Sequence, residues 1–389
     1  MYEDFYVPYD QTRLWTGNLL RLVVSNFLLY ASVYLMLPTL LVGIVLFGSC
    51  SFAEAGGMIA LFGVGMFLPG VFNSYLIDAF PRHRLALWTA GLLAVSHLCY
   101  PWVVSLAGLG LLRLGQGVLF GVLTLVTGST LVIDVTATRR RTEANAAFAW
   151  SGRLGMVMGL MLGLFVESFL PFEHLQWLAT GLGLLATVAL LRVSVPFRAP
   201  LHVPLVSMDR FLTLRSALPG VNLMLLSGVM GVVISRGTNG WFYACMALGL
   251  LLALGLLRIL FRYAPARAEV ELGQAAMLGG FLLLMLSNGL MTSYIAGLLL
   301  GLGMGTTASR LLIQMVSLPL HCGRGTGNQT YQLLWEAGVM SGFFYGAAWT
   351  GVSQSDLYGQ CLALSAFLLV LYEVLTHPWV KKRMEEINN

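Results

Sequence analysis

Long apolar stretches alternate with short polar segments along almost the whole chain. A helix needs about 20 mostly apolar residues to cross a bilayer, and twelve stretches approach or exceed that length. Six lie near residues 15–48, 52–79, 85–107, 109–134, 143–170 and 174–193, and six near 218–236, 240–262, 272–289, 292–319, 326–350 and 357–378. Only residues 236–240 separate the seventh stretch from the eighth, so the count falls by one if these two join. The pattern predicts an all-α polytopic membrane protein with twelve transmembrane helices.

A polar segment in the middle of the chain divides these stretches into two sets of six. It runs from Ser194 to Pro219 and contains four prolines, which interrupt helices. We therefore expect an N-terminal six-helix bundle over residues 1–193, a cytoplasmic linker over 194–217 and a C-terminal six-helix bundle over 218–389.

Basic residues concentrate on one side of the predicted topology. With twelve spans that side carries Arg13, Arg82, Arg84, Arg139 to Arg141, Arg198, Arg210, Arg215, Arg262, Arg267, Arg324 and Lys381 to Arg383. The other side carries essentially Arg236. Cytoplasmic loops of membrane proteins are enriched in lysine and arginine. Both termini are therefore predicted to be cytoplasmic, in a multi-pass protein of the cell (inner) membrane.

Composition excludes several classes of protein. The chain is 58% hydrophobic and 10% charged, whereas soluble domains carry about 25% charged residues, so lipid must cover most of its surface. The arginines are scattered singly, which argues against a nucleic-acid site. Because lysine occurs only at Lys381 and Lys382, no phosphate-binding Gly-Lys motif exists, and hydrolase motifs are also missing. We expect no enzyme activity, no cofactor and no metal, the five scattered cysteines being small apolar side chains.

The fifth and eleventh predicted spans repeat one pattern. Six positions match at a constant offset without a gap: Arg141, Asn145, Phe148, Gly155, Gly159 and Gly163 recur as Arg324, Asn328, Tyr331, Gly338, Gly342 and Gly346. Glycines spaced by four allow helices to pack closely, so the six glycines are predicted helix-packing residues. Parallel internal repeats occur in secondary transporters whose site lies between the repeats.

Two local motifs resemble those of the major facilitator superfamily. Between the second and third spans Asp78 is followed by Arg82 and Arg84, although both glycines of the family motif are replaced. In the fourth span the motif Arg-x-x-Gln-Gly stands intact as Arg113, Gln116 and Gly117. The resemblance covers nearly the whole chain and implies a monomer with two six-helix bundles related by pseudo-twofold symmetry.

Within this superfamily the chain is most similar to exporters of drugs and metabolites, although the fifth span lacks the proline of the drug-antiporter motif. The resemblance implies a conformational latch formed by Asp78, Arg82 and Arg84, with the acid facing the start of the eleventh span. It also implies that spans one, four, seven and ten line a central cavity. A simple topology anchor is the alternative for the arginines, but it does not explain Asp78.

Polar side chains form stripes on the spans that would line this cavity. They are Asn26, Tyr30 and Tyr34 in the first span, Arg113 and Gln116 in the fourth, Asn222 in the seventh, and Thr306, Arg310 and Gln314 in the tenth. We interpret them as substrate-binding residues, with Asn222 matched to Asn26 in the repeat. A polar network that only packs helices together is the alternative.

Four charges lie deep within predicted spans, where each is costly to bury. They are Arg113, Arg153, Arg310 and Glu336, and Arg153 occupies the same slot of the repeat as Glu336. Glu336 is the single deep acid, so it is the candidate proton carrier. Its alternative role is a static ion pair with Arg310 on the neighbouring span. The excess of arginine favours a solute that carries carboxylate or phosphate.

These features predict a secondary active transporter that works by alternating access. The preferred version is a proton-coupled antiporter for efflux of a small amphipathic, anionic or zwitterionic organic molecule, with lipid, solute and protons as its partners. The first alternative is facilitative or proton-coupled import of a sugar, a nucleoside or a nutrient acid. An alternative from another class is a receptor or assembly protein built on a transporter scaffold.

Overall fold

The first half of the chain folds into helices that follow its apolar stretches. The computed structural model describes residues 13–48, 50–103, 105–195, 203–208, 210–259, 265–287, 289–319 and 323–388. The helices of the first half are α1 (Gly17–Leu35), α2 (Leu37–Gly48), α3 (Phe52–Phe67), α4 (Asn73–Ala79), α5 (Arg82–Ser96), α6 (Leu106–Val126), α7 (Val132–Asp134), α8 (Arg141–Glu167) and α9 (Phe172–Leu191). The hydroxyls of Thr16, Ser51 and Ser105 cap α1, α3 and α6, because the first amides of a helix have no partner within it.

The helices of the second half also follow its apolar stretches. Its helices are α10 (Ala217–Ser235), α11 (Gly240–Ile259), α12 (Ala266–Leu286), α13 (Leu290–Ser317), α14 (Arg324–Ala348), α15 (Gln354–Leu371) and α16 (His377–Asn388). The short polar break between the seventh and eighth predicted spans is a true turn, since Gly237 adopts a φ of +57°. The described part of the chain contains no strand, so the all-α prediction is confirmed.

Ten helical stretches in the described ranges are long and apolar enough to cross a membrane. The two predicted spans outside this set are still helical. The third is α5, which has 15 residues and continues as a 3-10 helix, His97–Trp102, that contains Pro101. The eleventh is α14, whose 25 residues include Asn328, Gln332 and Glu336. The third predicted span, α5, packs against α6 and α9 of its own half, and the eleventh, α14, packs against α10 of its own half and α3 of the other.

Within the described ranges the long helices form two groups of six. In the first group α1 packs on α8 and α9, and α3 packs on α6. In the second group α10 packs on α14, α11 packs on α13, and α12 packs on α13 and α15. The main contacts between the groups are those of α3 with α14 and of α8 with α11.

The glycines of the repeat lie where helices cross most closely. A Cβ atom at each of the three repeat glycines of α8 would overlap α1, and one at each of the three repeat glycines of α14 would overlap α10. The contacts pair Gly155, Gly159 and Gly163 with Phe27, Ala31 and Leu35, and Gly338, Gly342 and Gly346 with Met224, Gly228 and Val232. The spacing within α1 equals that within α10. Equivalent helix pairs of the two halves thus share one packing register, as pseudo-twofold symmetry requires.

The segment between the halves packs against the ends of several helices on one side. Ser207 N donates to Val71 O at 2.9 Å, and the Asn73 side chain donates to the carbonyl of Arg210 at 3.0 Å. Arg210 has a φ of +59°, a conformation that turns the chain sharply. We call this side of the molecule the linker face. The arginine distribution of the sequence predicts that it is cytoplasmic.

Candidate substrate site between the two halves

Two hydrogen bonds join α1 of the first half to α14 of the second. Tyr34 Oη donates to Glu336 Oε2 at 2.6 Å, and Tyr30 Oη donates to Gln332 Oε1 at 2.8 Å. Tyr30 and Tyr34 are four residues apart on α1, and Gln332 and Glu336 are four residues apart on α14. The two bonds therefore lie about one helical turn apart between the facing helices. All four side chains are buried, with at most 3% exposed. Glu336 is thus enclosed between the halves, and its Oε1 has no hydrogen-bond partner among the described residues.

A third connection between the halves starts from Arg153 on α8. Its Nη1 donates to Ser309 Oγ on α13 at 3.3 Å, and the guanidinium lies 4.9 Å from the ring centre of Trp150 and 5.9 Å from that of Tyr331. Arg153 is 3% exposed, and its Nη2 has no partner in the described structure. The site therefore holds an enclosed cation between two aromatic faces, a setting that stabilises arginine and leaves donor capacity open.

We call this group of six side chains the central cluster: Tyr30, Tyr34, Arg153, Ser309, Gln332 and Glu336. It draws on both halves: Tyr30 and Tyr34 lie in the last two turns of α1, and the other members lie in the interior of α8, α13 and α14. Burying ionised groups is costly unless they are paired. The open donor of Arg153 and the open acceptor of Glu336 therefore mark a place where a further polar partner would lower the free energy.

Arg113 lies in the first half, and the residues that it contacts belong to the same half. Its guanidinium stacks 4.7 Å from the Phe62 ring centre and donates to Ile59 O at 3.3 Å and to Gln116 Oε1 at 3.1 Å. Gln116 also accepts from Tyr100. The structure therefore places Arg113 and Gln116 behind the central cluster, in a network that joins α6 to α3 and α5.

The polar stripe of α13 faces away from the central cluster. Thr306 contacts Gly273 of α12, and Gln314 Nε2 donates to Tyr372 Oη at 2.9 Å. Arg310 lies between them, with its Nε 3.9 Å from Glu269 Oε2. Arg310 thus pairs with Glu269, and the alternative ion pair with Glu336 is wrong. The reason is rotation of about 100° per residue in a helix, since it is the neighbouring Ser309 that meets the other half.

The two asparagines that the sequence matched occupy different settings. Asn26 Nδ2 donates to Phe148 O at 2.8 Å and to Ser151 Oγ at 3.0 Å, joining α1 to α8. Asn222 donates to Thr376 Oγ1 at 2.6 Å, away from the centre. The glycine contacts match Phe27 of α1 with Met224 of α10, so the residue of α1 equivalent to Asn222 is Ser25. Ser25 likewise turns outward and donates to Ala186 O. The match of Asn222 with Asn26 is therefore wrong by one residue.

The expected latch residues lie at the linker face. Asp78 Oδ1 accepts from Arg82 and from Arg210, each at 3.1 Å, and Arg82 also donates to Asp134 Oδ2 at 2.8 Å. The carboxylate of Asp78 thus contacts the linker and not the start of α14, because the turn at Arg210 brings that guanidinium to it. Arg84 is exposed and takes no part in these pairs.

A change of helix type in the fourth span provides another contact between the halves. Residues Thr127–Leu131 form a π-helix, in which Val132 N bonds to Thr127 O. The carbonyl of Gly128 accepts a hydrogen bond from Asn328 Nδ2 of α14 at 2.9 Å. Such π-helical bulges are frequent at functional sites. Asn328 lies one turn of helix from Gln332, so this bond closes the linker-face side of the central cluster.

Sequence reasoning did not place Arg153, Ser309 and Gln332 among the binding residues. The shared repeat slot of Arg153 and Glu336 was the available signal for the first. Gln332 precedes Glu336 by four residues, which was the available signal for Gln332. Nothing in the spacing of polar residues singles out Ser309, because it lies beside the more conspicuous stripe of Arg310.

Comparisons with known proteins support the architecture. No protein-family model and no curated protein sequence matches the chain. Among solved structures it is similar to the human organic anion transporter MFSD10 (TETRAN), with a TM-score of 0.68 and 17% identity, covering 94% of this chain and 100% of that one. A mutant of the nucleoside transporter NupG matches with a TM-score of 0.66 and 12% identity, covering 91% and 98%. The predicted fold is confirmed: this chain has the fold of the major facilitator superfamily.

Proposed function

We propose that the protein is a secondary active transporter that moves a small organic anion or zwitterion by alternating access, with Glu336 as its proton carrier. One observation carries the proposal. The central cluster encloses an arginine and a glutamate between two halves, and each keeps one polar atom without a partner in the described structure. Ionisable groups within membrane spans mark ion and substrate pathways.

The hydrogen bond from Tyr34 to Glu336 links protonation to the contact between the halves. An ionised Glu336 accepts this bond strongly, since hydrogen bonds to charged groups exceed neutral ones in strength. A protonated Glu336 loses that advantage and can donate instead. Proton binding therefore weakens one of the bonds that hold α1 against α14. This gives a physical reason for the halves to separate when a proton or a competing solute arrives.

Arg153 is the residue best placed to bind the solute. Its planar guanidinium suits carboxylate and phosphate groups, and its present hydrogen bonds, 3.3 Å to Ser309 and 3.4 Å to Ala149, are long. The flanking rings of Trp150 and Tyr331 supply apolar faces for the body of an organic molecule. Arg113 likewise keeps its Nη2 without a partner among the described residues, but it donates to Ile59 and Gln116, which both belong to its own half, whereas Arg153 reaches Ser309 of the other half. The predicted preference for an anionic or zwitterionic solute thus rests on Arg153.

Export is the preferred direction, and import of a sugar, a nucleoside or a nutrient acid is the alternative. One similar structure is named as an organic anion transporter and the other as a nucleoside transporter, so both solute classes belong in the first screen. A receptor on a transporter scaffold would bind a solute without moving it. Flux, and not binding, therefore separates these classes.

The experiment is solute flux in proteoliposomes under an imposed pH gradient. The panel contains organic carboxylates, phosphate esters, nucleosides, sugars and lipophilic cations. We expect gradient-driven flux of an anionic or zwitterionic solute, reduced about tenfold or more, roughly 1.4 kcal/mol, in Glu336→Gln. Glu385→Gln, at an exposed position of α16, is the matched control with unchanged flux. Equal gradient-driven flux in Glu336→Gln would remove the carrier role, and transport of lipophilic cations alone would overturn the anion preference.

A further inference from the structure

A cavity of about 410 Å³ opens at the linker face, apart from the central cluster. It lies between the first turns of α8 and α14 and the end of the fourth span. Residues of both halves line it, among them Arg141 and Asn145 from α8 and Arg324 and Thr326 from α14. Arg141 and Arg324 are equivalent positions of the internal repeat, so each half contributes one arginine to the same space.

The other charges of this cavity neutralise one another. Arg82 pairs with Asp78 and Asp134, and Arg210 pairs with Asp78. Within the described part of the chain neither Arg141 nor Arg324 forms an ion pair or a side-chain hydrogen bond. Among the described residues, two positive charges of the cavity are therefore left without a counter-charge. No described carboxylate of the lining is free to bind a cation, whereas two guanidinium groups can bind an anion.

A buried side chain beside the arginines also lacks a partner. Asn145 is 1% exposed, and neither its Oδ1 nor its Nδ2 has a hydrogen-bond partner in the described structure. The buried Nε of Arg141 is likewise without one. Buried polar groups in proteins are nearly always bonded, and leaving them unpaired is costly. The amide and the guanidinium together provide N–H donors that a bound oxyanion would satisfy.

The helices add to this positive potential. Both α8, of 27 residues, and α14, of 25 residues, begin at the arginine that lines the cavity. Helix N-termini carry partial positive charge and free amide groups, which attract phosphate and carboxylate. Gly325 and Thr326, in the first turn of α14, also line the cavity. Each half thus contributes one arginine side chain and one helix N-terminus to the positive electrostatic potential of the cavity.

We propose that this cavity is a second anion site, which binds a phosphate or carboxylate group between Arg141 and Arg324. An oxyanion held by both arginines bridges α8 of the first half and α14 of the second. It therefore stabilises the arrangement in which the linker face is closed. The proposal does not depend on the identity of the transported solute. A free phosphate compound in the aqueous phase and the headgroup of an anionic lipid both carry the required chemistry.

Binding of inorganic phosphate to the purified full-length protein tests the site. Thermal unfolding is followed in detergent while phosphate is raised at constant ionic strength against chloride. We expect a saturable rise in the unfolding temperature with phosphate and none with chloride. Arg141→Gln and Arg324→Gln should each weaken binding by about tenfold or more, because a charge-assisted hydrogen bond is lost. The control Arg383→Gln removes an exposed arginine that pairs with Glu386 and should leave binding unchanged.

A second arm distinguishes the two sources of the anion. The protein is reconstituted into phosphatidylcholine vesicles with and without phosphatidylglycerol. Stabilisation by phosphatidylglycerol that is lost in either arginine variant assigns the site to a lipid headgroup, and stabilisation by inorganic phosphate alone assigns it to a soluble anion. The proposal is overturned if the native protein responds to neither, or if folded Arg141→Gln and Arg324→Gln variants respond as the native protein does. The native protein alone decides the first outcome, so a variant that fails to fold does not block the test.

Discussion

At the scale of single residues, Tyr34 and Glu336 form one of the hydrogen bonds that join the halves. Tyr34 donates to a carboxylate at 2.6 Å, whereas its neighbour Tyr30 donates to the neutral amide oxygen of Gln332 at 2.8 Å. Both hydroxyls are buried and both bonds cross between α1 and α14. The two tyrosines therefore form a natural pair in which the acceptor is an ionisable carboxyl group in one case and a neutral amide in the other.

Replacing each tyrosine by phenylalanine measures this difference. Tyr34→Phe should lower the free energy of unfolding by about 1.5–3 kcal/mol and Tyr30→Phe by about 1 kcal/mol, because hydrogen bonds to charged groups contribute more than neutral ones. Thermal unfolding of the two purified variants in the same detergent gives the comparison at pH 7. Equal losses would contradict an ionised Glu336 in the closed state.

Arg113 and Arg153 show why burial alone does not identify a binding residue. Both are at most 3% exposed, and both lie against aromatic rings. Arg113 is held by Ile59 and Gln116 of its own bundle, while Arg153 reaches across to Ser309 of the other half. A solute that replaces a long contact between the halves affects their arrangement directly. Arg153 is therefore the better candidate for a residue that binds the solute.

At the scale of helices, the glycine rows set the spacing of α8 on α1 and of α14 on α10. A Cβ atom at Gly159 would lie 2.5 Å from the carbonyl oxygen of Ala31, whereas one at Gly181 on α9 would meet nothing within 4 Å. The same substitution therefore has opposite expected effects at two helical positions of the first half.

Gly159→Ala should destabilise the protein by about 1–3 kcal/mol, the usual cost of overpacking. Gly181→Ala should leave stability unchanged or raise it by up to about 1 kcal/mol, since alanine favours helix. Thermal unfolding and the monodisperse fraction after purification report both effects. Similar behaviour of the two variants would show that the glycine row does not control the helix spacing.

The sequence predicts some features of these helices well because their cause is local. Apolar length predicts the spans, and the repeated glycines of α8 and α14 coincide with the close helix contacts of the structure. The rotation of α13 has no local cause. Its polar stripe through Arg310 faces Glu269 of α12, and Ser309, an ordinary residue in the sequence, faces the other half. Amphipathic spacing shows which residues share a face but not which neighbour that face meets.

The predicted match of Asn222 on α10 with Asn26 on α1 was wrong for a related reason. Asn222 and Asn26 look equivalent in sequence, yet the contacts of Gly155 and Gly338 make Asn222 the counterpart of Ser25. A shift of one residue rotates a helical side chain by about 100°. Chemical likeness of single residues is therefore a weaker indicator of symmetry than the glycine contacts, which involve the backbone of both helices.

At the scale of the whole molecule, the halves are in contact on both sides of the central cluster. Asn328 bonds to Gly128 towards the linker face, and Phe165 packs edge-on against Trp241 towards the other face, with ring centres 5.3 Å apart. The central cluster lies buried between these contacts. Alternating access requires that the two sets of contacts open in turn, and the protonation of Glu336 is the proposed trigger.

Distances between spin labels at the two faces test this central claim most directly. In a protein whose five cysteines are replaced by alanine, one label pair joins Ala137 to Leu214 at the linker face, and another joins Ser168 to Gln354 at the opposite face. These four positions are exposed. Double electron–electron resonance is measured in vesicles at several pH values, with native Glu336 and with Glu336→Gln.

We predict two sets of distances whose populations change reciprocally, so that one face widens as the other narrows. Acid and Glu336→Gln should shift them in the same direction, because both remove the charge that Tyr34 binds. One fixed distance at each face, unchanged by acid, by Glu336→Gln and by every solute of the flux panel, would contradict the account.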